Sequence, residues 1–245
     1  MIRADAVGNT FLIVEDALAH EDRPAWILAQ QVQEDGVIWV DEEAGGFSMD
    51  YYNRDGSRAS LCGNGSRSVI CYLLRQAKIK VCEWVELHTD AGTLLGMAIS
   101  LEEAMISMPV VENISSVACL SYSGHLLKVG VPHAVFEVPR SELDSVCMEE
   151  CFKSLTTHPA LPEGANVNFY SIDGENIFNR TFERGVLAET LSCGTGSVAV
   201  AWVLHSHAPE PSRTYKIHTR WGCLEVLVND KQFFLKGKVE LHELV

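Results

Sequence analysis

Short apolar runs broken by turn residues predict strands through the first half of the chain, at Thr10 to Val14, Val37 to Val40, Phe47 to Tyr52, Cys82 to Thr89, Thr93 to Ser100 and Ala104 to Met108. One segment inside that series changes period. From about Asn64 to Ala77 the residues Val69, Ile70, Leu73, Leu74 and Ala77 recur at helical spacing. A further helix is predicted over Ala25 to Gln33. After Pro109 the pattern restarts, with strands near Leu126 to Val131 and Ala134 to Val138. A helix opened by Ser141, with Asp144 three residues on, is expected next. Strands resume at Asn166 to Ile172 and Ile177 to Glu183 across an Asp173-Gly174 turn. The helix predicted over Gly196 to Ser206 is apolar all round, from Val198 to Leu204, which requires a sheet wrapped about it. Strands near Tyr215 to Thr219, Leu224 to Val228, Gln232 to Leu235 and Val239 to Leu244 close the chain.

Both central helices are entered through nearly the same words. Cys62-Gly63-Asn64-Gly65-Ser66 recurs 131 positions later as Cys193-Gly194-Thr195-Gly196-Ser197. The repeat predicts duplication of a whole domain. The expected halves are residues 1–110, completed by a last strand over 236–245, and residues 111–235. At 245 residues, each half has enough chain to bury its own core.

Composition narrows the partners. The formal charge is −14 with no basic cluster, which argues against binding a phosphate backbone. No segment has the apolar length to span a bilayer, and no leader pattern opens the chain, so a cytoplasmic protein acting on a small enclosed substrate is expected. Eight cysteines show neither paired CxxC knuckles nor a disulfide framework, so most are expected as buried thiols. The nine histidines give no metal spacing, and no metal or cofactor is expected.

A single Cys-Gly-x-Gly is equally well a tight strand-to-helix turn packed with a small apolar thiol. Two copies favour chemistry. A thiol at a helix N-terminus feels the positive end of the macrodipole, and glycines let a ligand approach the unpaired N–H groups there. Two such starts facing one another could grip one carboxylate and set a sulfur on each side of the attached carbon. One sulfur would remove the α-proton while the other delivers one to the opposite face.

The runs Asn53-Arg54-Asp55-Gly56-Ser57, Leu61-Cys62-Gly63-Asn64-Gly65-Ser66-Arg67 and Glu189-Thr190-Leu191-Ser192-Cys193-Gly194-Thr195-Gly196 resemble the signatures of the diaminopimelate epimerase family. Gly8-Asn9-Thr10-Phe11, Pro132-His133, Asn166-Val167-Asn168-Phe169 and Glu183-Arg184-Gly185 extend the resemblance over nearly the whole chain. It implies an α+β fold of two pseudo-symmetric domains, each a curled, mainly antiparallel sheet wrapped around a central helix. It also implies cofactor-independent interconversion of LL- and meso-diaminopimelate, on the route to lysine and peptidoglycan, by relatives that often pair as homodimers. By matching motif, Cys62 and Cys193 would be the acid and base, assisted by His133 and Glu183. Asn9, Asn53, Asn64, Asn166 and Arg184 would line the substrate, and the N–H groups of Gly63, Asn64, Gly194 and Thr195 would hold the reacting carboxylate.

Two departures border that site. Gly130-Val131-Pro132-His133 has valine where the family usually has asparagine, and the 184–190 stretch is one residue longer, with Leu187 and Ala188 in place of a glycine. They raise the expectation of relaxed specificity toward shorter acidic amino acids such as glutamate. A racemase of another amino acid on the same fold, as among proline racemase relatives, and a non-catalytic amino-acid binding protein remain alternatives. Each residue also has a plain reading: Asn53 and Asp55 as a turn, His133 as a strand-entry residue, Glu183 and Arg184 as a solvated pair.

Overall fold

The computed structural model describes residues 1–43, 45–158, 161 and 164–243. The chain divides into two compact units, one of residues Met1–Ser107 with Lys236–Val245, the other of Met108–Leu235.

In the first unit, β1 (Ile2–Ala6) and β2 (Asn9–Val14) form an antiparallel hairpin through Gly8, whose φ of 79° needs no side chain to be accommodated. Helix α1 (Arg23–Gln30) carries Pro24 in its first turn, where the missing N–H is no loss, and ends where Gln31 turns left-handed at φ 50°. That is three residues short of the expected end, Gln33. Then β3 (Gly36–Glu43) runs parallel to β2 and antiparallel to β4 (Gly46–Asn53). Short β5 (Arg58–Ala59) pairs with β4 and leads into α2 (Gly63–Arg75), which ends before Ala77 takes φ 55°. The strands β6 (Trp84–Thr89), β7 (Gly92–Ser100) and β8 (Glu103–Ser107) follow, β6 parallel to β4 and the other pairings antiparallel.

The second unit repeats this plan. β9 (Glu112–Cys119), β10 (Tyr122–Val129) and β11 (Val131–Glu137) are antiparallel, and β12 (Asn166–Asp173) lies parallel to β11. Between them the expected helix from Ser141 does not form. Asp144 instead accepts hydrogen bonds from Arg140 and Arg220, and only a 3-10 turn at Leu143–Ser145 precedes α3 (Met148–Leu155). β13 (Asn176–Glu183) and β14 (Ala188–Thr190) lead into α4 (Gly194–His207), then β15 (Ser212–His218), β16 (Cys223–Asn229) and β17 (Gln232–Lys238), which carries the chain back into the first unit. β15 lies parallel to β13, as β6 does to β4.

β18 (Glu240–Glu243) pairs antiparallel with β1, where the sequence predicts a strand; its expected last residue, Leu244, lies outside the described residues. Each unit therefore wraps a mainly antiparallel sheet around one helix, an α+β plan used twice. α2 packs against β1, β2, β4, β7, β8 and β18, and α4 against β10, β11, β12, β13, β15 and β16. Burial follows: α4 keeps Val198, Ala199, Val200, Ala201 and Val203 out of water, contributing about 25 cal/mol per Å² of apolar surface covered.

The cysteine expectation needs correction. Cys119 on β9 and Cys151 on α3 form a disulfide, Cys82, Cys147 and Cys223 are exposed and Cys62 is half-buried, leaving Cys71 and Cys193 as buried free thiols. The pair lies 32 residues apart, across β9, β10, β11 and α3, where no local spacing announces it.

The strand registers align the halves position by position. Phe11 opposite Gly36 corresponds to His133 opposite Asn166, and Tyr52 opposite Val37 to Phe182 opposite Val167. Hence Asn53 matches Glu183, one residue past Tyr52 and Phe182, and Asn9 matches Val131, each just after a left-handed glycine.

Candidate active site

Each unit carries one candidate cysteine, placed where the chain leaves a strand pair and enters the central helix. Cys62 is the N-cap of α2, extended at φ −138°, with its sulfur accepting the Gly65 N–H at 3.3 Å. Cys193 holds the same place on α4 at φ −126°. The serine four residues on closes both starts alike: Ser66 Oγ donates to the Cys62 carbonyl at 3.0 Å, and Ser197 Oγ to the Cys193 carbonyl at 2.9 Å. The N–H groups of Gly63 and Asn64, and of Gly194 and Thr195, fall in first turns, where no helical carbonyl can pair them. With the helix dipole behind them, such groups favour an anion.

Cys62 lies among neutral amides of its own unit. The thiol lies 3.8 Å from Asn9 Oδ1, which also receives Asn64 Nδ2 at 3.5 Å. Asn9 is oriented from behind, because its Nδ2 donates to Asp35 at 3.0 Å and Asp35 is in turn paired with Arg54 at 2.9 Å. Asn64 is fixed by Arg67, whose Nη2 donates to Asn64 Oδ1 at 2.6 Å. Asn53 is committed to a turn as well as lying at the end of β4: its Nδ2 donates to Ser57 Oγ, its N–H to the Ser57 carbonyl, and its Oδ1 accepts from Tyr51. Asn9, Asn64 and Cys62 thus come together, while Asn53 does not contact them through any of these bonds.

Around Cys193 one partner ionises. Its thiol is 3.5 Å from Thr195 Oγ1 and hydrogen-bonds to Glu183. Burial and the neighbouring Glu183 charge push the Cys193 thiol well above the ordinary range, against the Thr195 hydroxyl and the Gly196 N–H. Burial also raises the Glu183 carboxyl, opposed by the Thr190 hydroxyl donating at 2.6 Å and by the Cys193 thiol. Glu183 is thus bound to the thiol rather than solvated.

His133 is fully buried, and that burial, with the nearby Arg184 charge, brings its pKa down to about 3. The ring is neutral at ordinary pH. Its Nδ1 faces the Asn168 amide nitrogen at 3.1 Å, which makes Nδ1 the acceptor and puts the proton on Nε2, an atom without a hydrogen-bond partner among the described residues. Asn166 Oδ1 accepts the Arg184 N–H at 3.0 Å, tying the start of β12 to the loop after β13.

Residues not singled out as site residues from sequence support these groups. Asn168 fixes the His133 tautomer, and Thr181 Oγ1 donates to Asn168 Oδ1 at 2.9 Å. Thr190 holds Glu183, Asp35 holds Asn9, and Arg67 holds Asn64. Polar residues at inward strand positions, such as Asn168 and Thr181, were the available signal. Among the described residues no group of three or more His, Cys, Asp or Glu is arranged to hold a metal ion, and no helix is long and apolar enough to cross a membrane.

Comparisons with known proteins follow the same outline. A family model described as diaminopimelate epimerase matches residues 4–108 and 125–242. A diaminopimelate epimerase of Thermotoga maritima is 35% identical over 96% of this chain and 96% of its own. One of Chlamydia trachomatis is 32% identical over 96% of this chain and 87% of its own. Among solved structures, a phenazine biosynthesis protein of Bacillus anthracis superposes with TM-score 0.80 at 16% identity, covering 100% of this chain and 98% of that one. A probable proline racemase of Agrobacterium radiobacter gives 0.72, also at 16% identity, over 100% and 92%. At that identity the superpositions speak for the fold alone.

Proposed function

The chain belongs to the diaminopimelate epimerase family, and we propose that it interconverts LL- and meso-diaminopimelate by a two-base mechanism at Cα, without a cofactor. The observation that carries this reading is the repeated helix start, with a cysteine as N-cap of the central helix in each unit. One thiolate takes the α-proton, and the other thiol delivers a proton to the opposite face, so the centre inverts with no net change in protonation of the pair. The N–H groups of Gly63, Asn64, Gly194 and Thr195 hold the carboxylate as charge moves onto it. His133 and Glu183 set the ionisation around Cys193. Arg184, whose guanidinium matches a carboxylate with two parallel hydrogen bonds, receives the far end of the substrate together with Asn9, Asn53 and Asn166. The product would serve lysine and peptidoglycan synthesis in the cytoplasm, from an enzyme acting as a homodimer.

The test is incubation of one diaminopimelate isomer with the protein in deuterated water, without added cofactor. Deuterium at Cα with stereochemical scrambling is expected, and Cys62→Ala or Cys193→Ala abolishes inversion. Wild-type turnover in either variant defeats the two-thiol mechanism.

Val131 supports relaxed recognition of the far end. Its counterpart Asn9 offers an amide to its own cysteine, whereas valine offers no side-chain donor or acceptor. Val131→Asn should raise kcat/KM for diaminopimelate relative to glutamate by about tenfold, the scale of one added hydrogen bond. Undetectable turnover of every amino acid except diaminopimelate by the natural chain removes the idea.

A further inference from the structure

The two helix starts share a sequence pattern but not an electrical setting. Five residues after Cys62 stands Arg67, with 0% of its surface exposed; five residues after Cys193 stands Val198, equally buried. A buried guanidinium is expensive unless its N–H groups and charge are answered. Arg67 answers only in part. Nη2 donates to Asn64 Oδ1 at 2.6 Å, Nη1 reaches the Lys238 carbonyl at 3.4 Å, and Nε has no hydrogen-bond partner among the described residues. A cation so placed is best explained by an anion that it serves.

We propose that Arg67 is a positioning residue for Cys62: from inside the first unit it locks the Asn64 amide beside Asn9 and the sulfur, and its charge favours Cys62 as the thiolate. Cys193, beside Glu183 and without a matching cation, then rests as the thiol. The pair starts each cycle in one defined protonation state. This rests on the reading of Cys62 as an acid/base group.

The other groups around Arg67 and Cys62 leave that assignment standing. Burial brings Arg67 down to about 10, so it stays charged at neutral pH; Cys71, Cys62 and Glu103 act to raise it. Burial drives Cys71 up to about 12, which leaves it neutral. Glu103 on β8 is paired with Lys236 at 3.4 Å. Asp35, behind Asn9, is answered by Arg54, and Asp50 on β4 by Arg23, Arg58 and His20. On β1 and β18, Arg3 pairs with Glu34, Glu243 with Arg75 and His242 with Glu240; Asp5 accepts the Gly8 N–H. β7 carries no charged residue. Cys62 is therefore the anion left for Arg67 to balance.

The experiment follows iodoacetamide alkylation of the full chain against pH, with each cysteine resolved by peptide mass mapping and exposed Cys147 as internal reference. Cys62 is expected to titrate below Cys147. In Arg67→Met its titration should move up by about one pH unit, a roughly tenfold loss of alkylation rate near neutral pH, with Cys147 unmoved. Arg67→Lys should recover at least half of the shift. An unchanged Cys62 titration in a folded Arg67→Met overturns the proposal. If that variant fails to fold, Cys62 of the natural chain titrating at or above Cys147 overturns it as well. Because alkylation needs no substrate, a chain that shows the shift yet fails the deuterium assay would sink the proposed reaction and leave the role of Arg67 intact.

Discussion

Gly65 and Gly196 occupy the same place in the two helix starts, and adding one methyl group to each should give opposite results. A Cβ on Gly196 would sit 2.3 Å from Asn168 Oδ1, 2.9 Å from Thr181 Oγ1 and 3.3 Å from Cys193 Sγ. Asn168 cannot yield cheaply: it is fully buried, accepts Thr181, and donates to the Ala134 carbonyl and His133. Overpacking of this kind costs about 1–3 kcal/mol, and a displaced buried hydrogen bond adds about 1–3 kcal/mol. Helix propensity returns at most about 1 kcal/mol. The net for Gly196→Ala is about 1–5 kcal/mol, or roughly 2–20 °C in Tm for a chain of this size. A Cβ on Gly65 meets the ends of flexible apolar side chains, Ile38 Cδ1 at 3.0 Å and Met49 Cε at 3.1 Å. Small rotations relieve both, so Gly65→Ala should stay within about 1 kcal/mol of the natural chain. Thermal and urea unfolding followed by far-UV circular dichroism measure the difference, with separate midpoints fitted if the two units unfold in two steps. Equal losses, or a larger loss for Gly65→Ala, would refute the claim that a rigid polar layer beneath α4 distinguishes the two sites.

Other outcomes follow from the same geometry. Replacing Glu183 by Gln removes the charge that helps hold the Cys193 proton, so the basic limb of the kcat/KM profile should move down by about one pH unit; a limb that stays put dissociates Glu183 from Cys193. His133 is depressed to about 3, so between pH 6.5 and 3 the unfolded chain binds a proton that the native one does not. Its contribution to stability must therefore fall, by roughly one kcal/mol per pH unit, as pH drops through that window and level off below it. Glu183, raised by burial, works with the opposite sign, so the reading is the difference in Tm between the natural chain and His133→Gln across that range; a flat difference contradicts a neutral native ring. Histidine-selective NMR should likewise find His133 with its proton on Nε2 and no titration between pH 5 and 8.

How much of this was legible beforehand depended on whether the signal was local. The apolar belt of Val198 to Val203 announced a helix wrapped by sheet, and the repeated Cys-Gly-x-Gly marked both helix entries, because period and motif reside in neighbouring residues. Strand β9 escaped because Glu112 to Ser116 are all exposed, so no alternation betrays it. The helix expected at Ser141 failed for a distant reason: Asp144, its capping partner, is engaged by Arg220 from the far side of α4 in the sequence. Supporting site residues were hidden in the same way. Nothing near Asn168 points to His133, and nothing near Asp35 points to Asn9, until parallel β11–β12 and β2–β3 pairings bring them side by side.

The return of β18 to β1 has a bearing on how the chain acquires its structure during synthesis. Residues 108–235 are contiguous and can begin to fold once translated, whereas the unit that includes β1 awaits a strand made only after that whole segment. Until then β1 presents an unpaired edge, a surface open to aggregation. A strand made before the second unit is thus sealed only by one made after it.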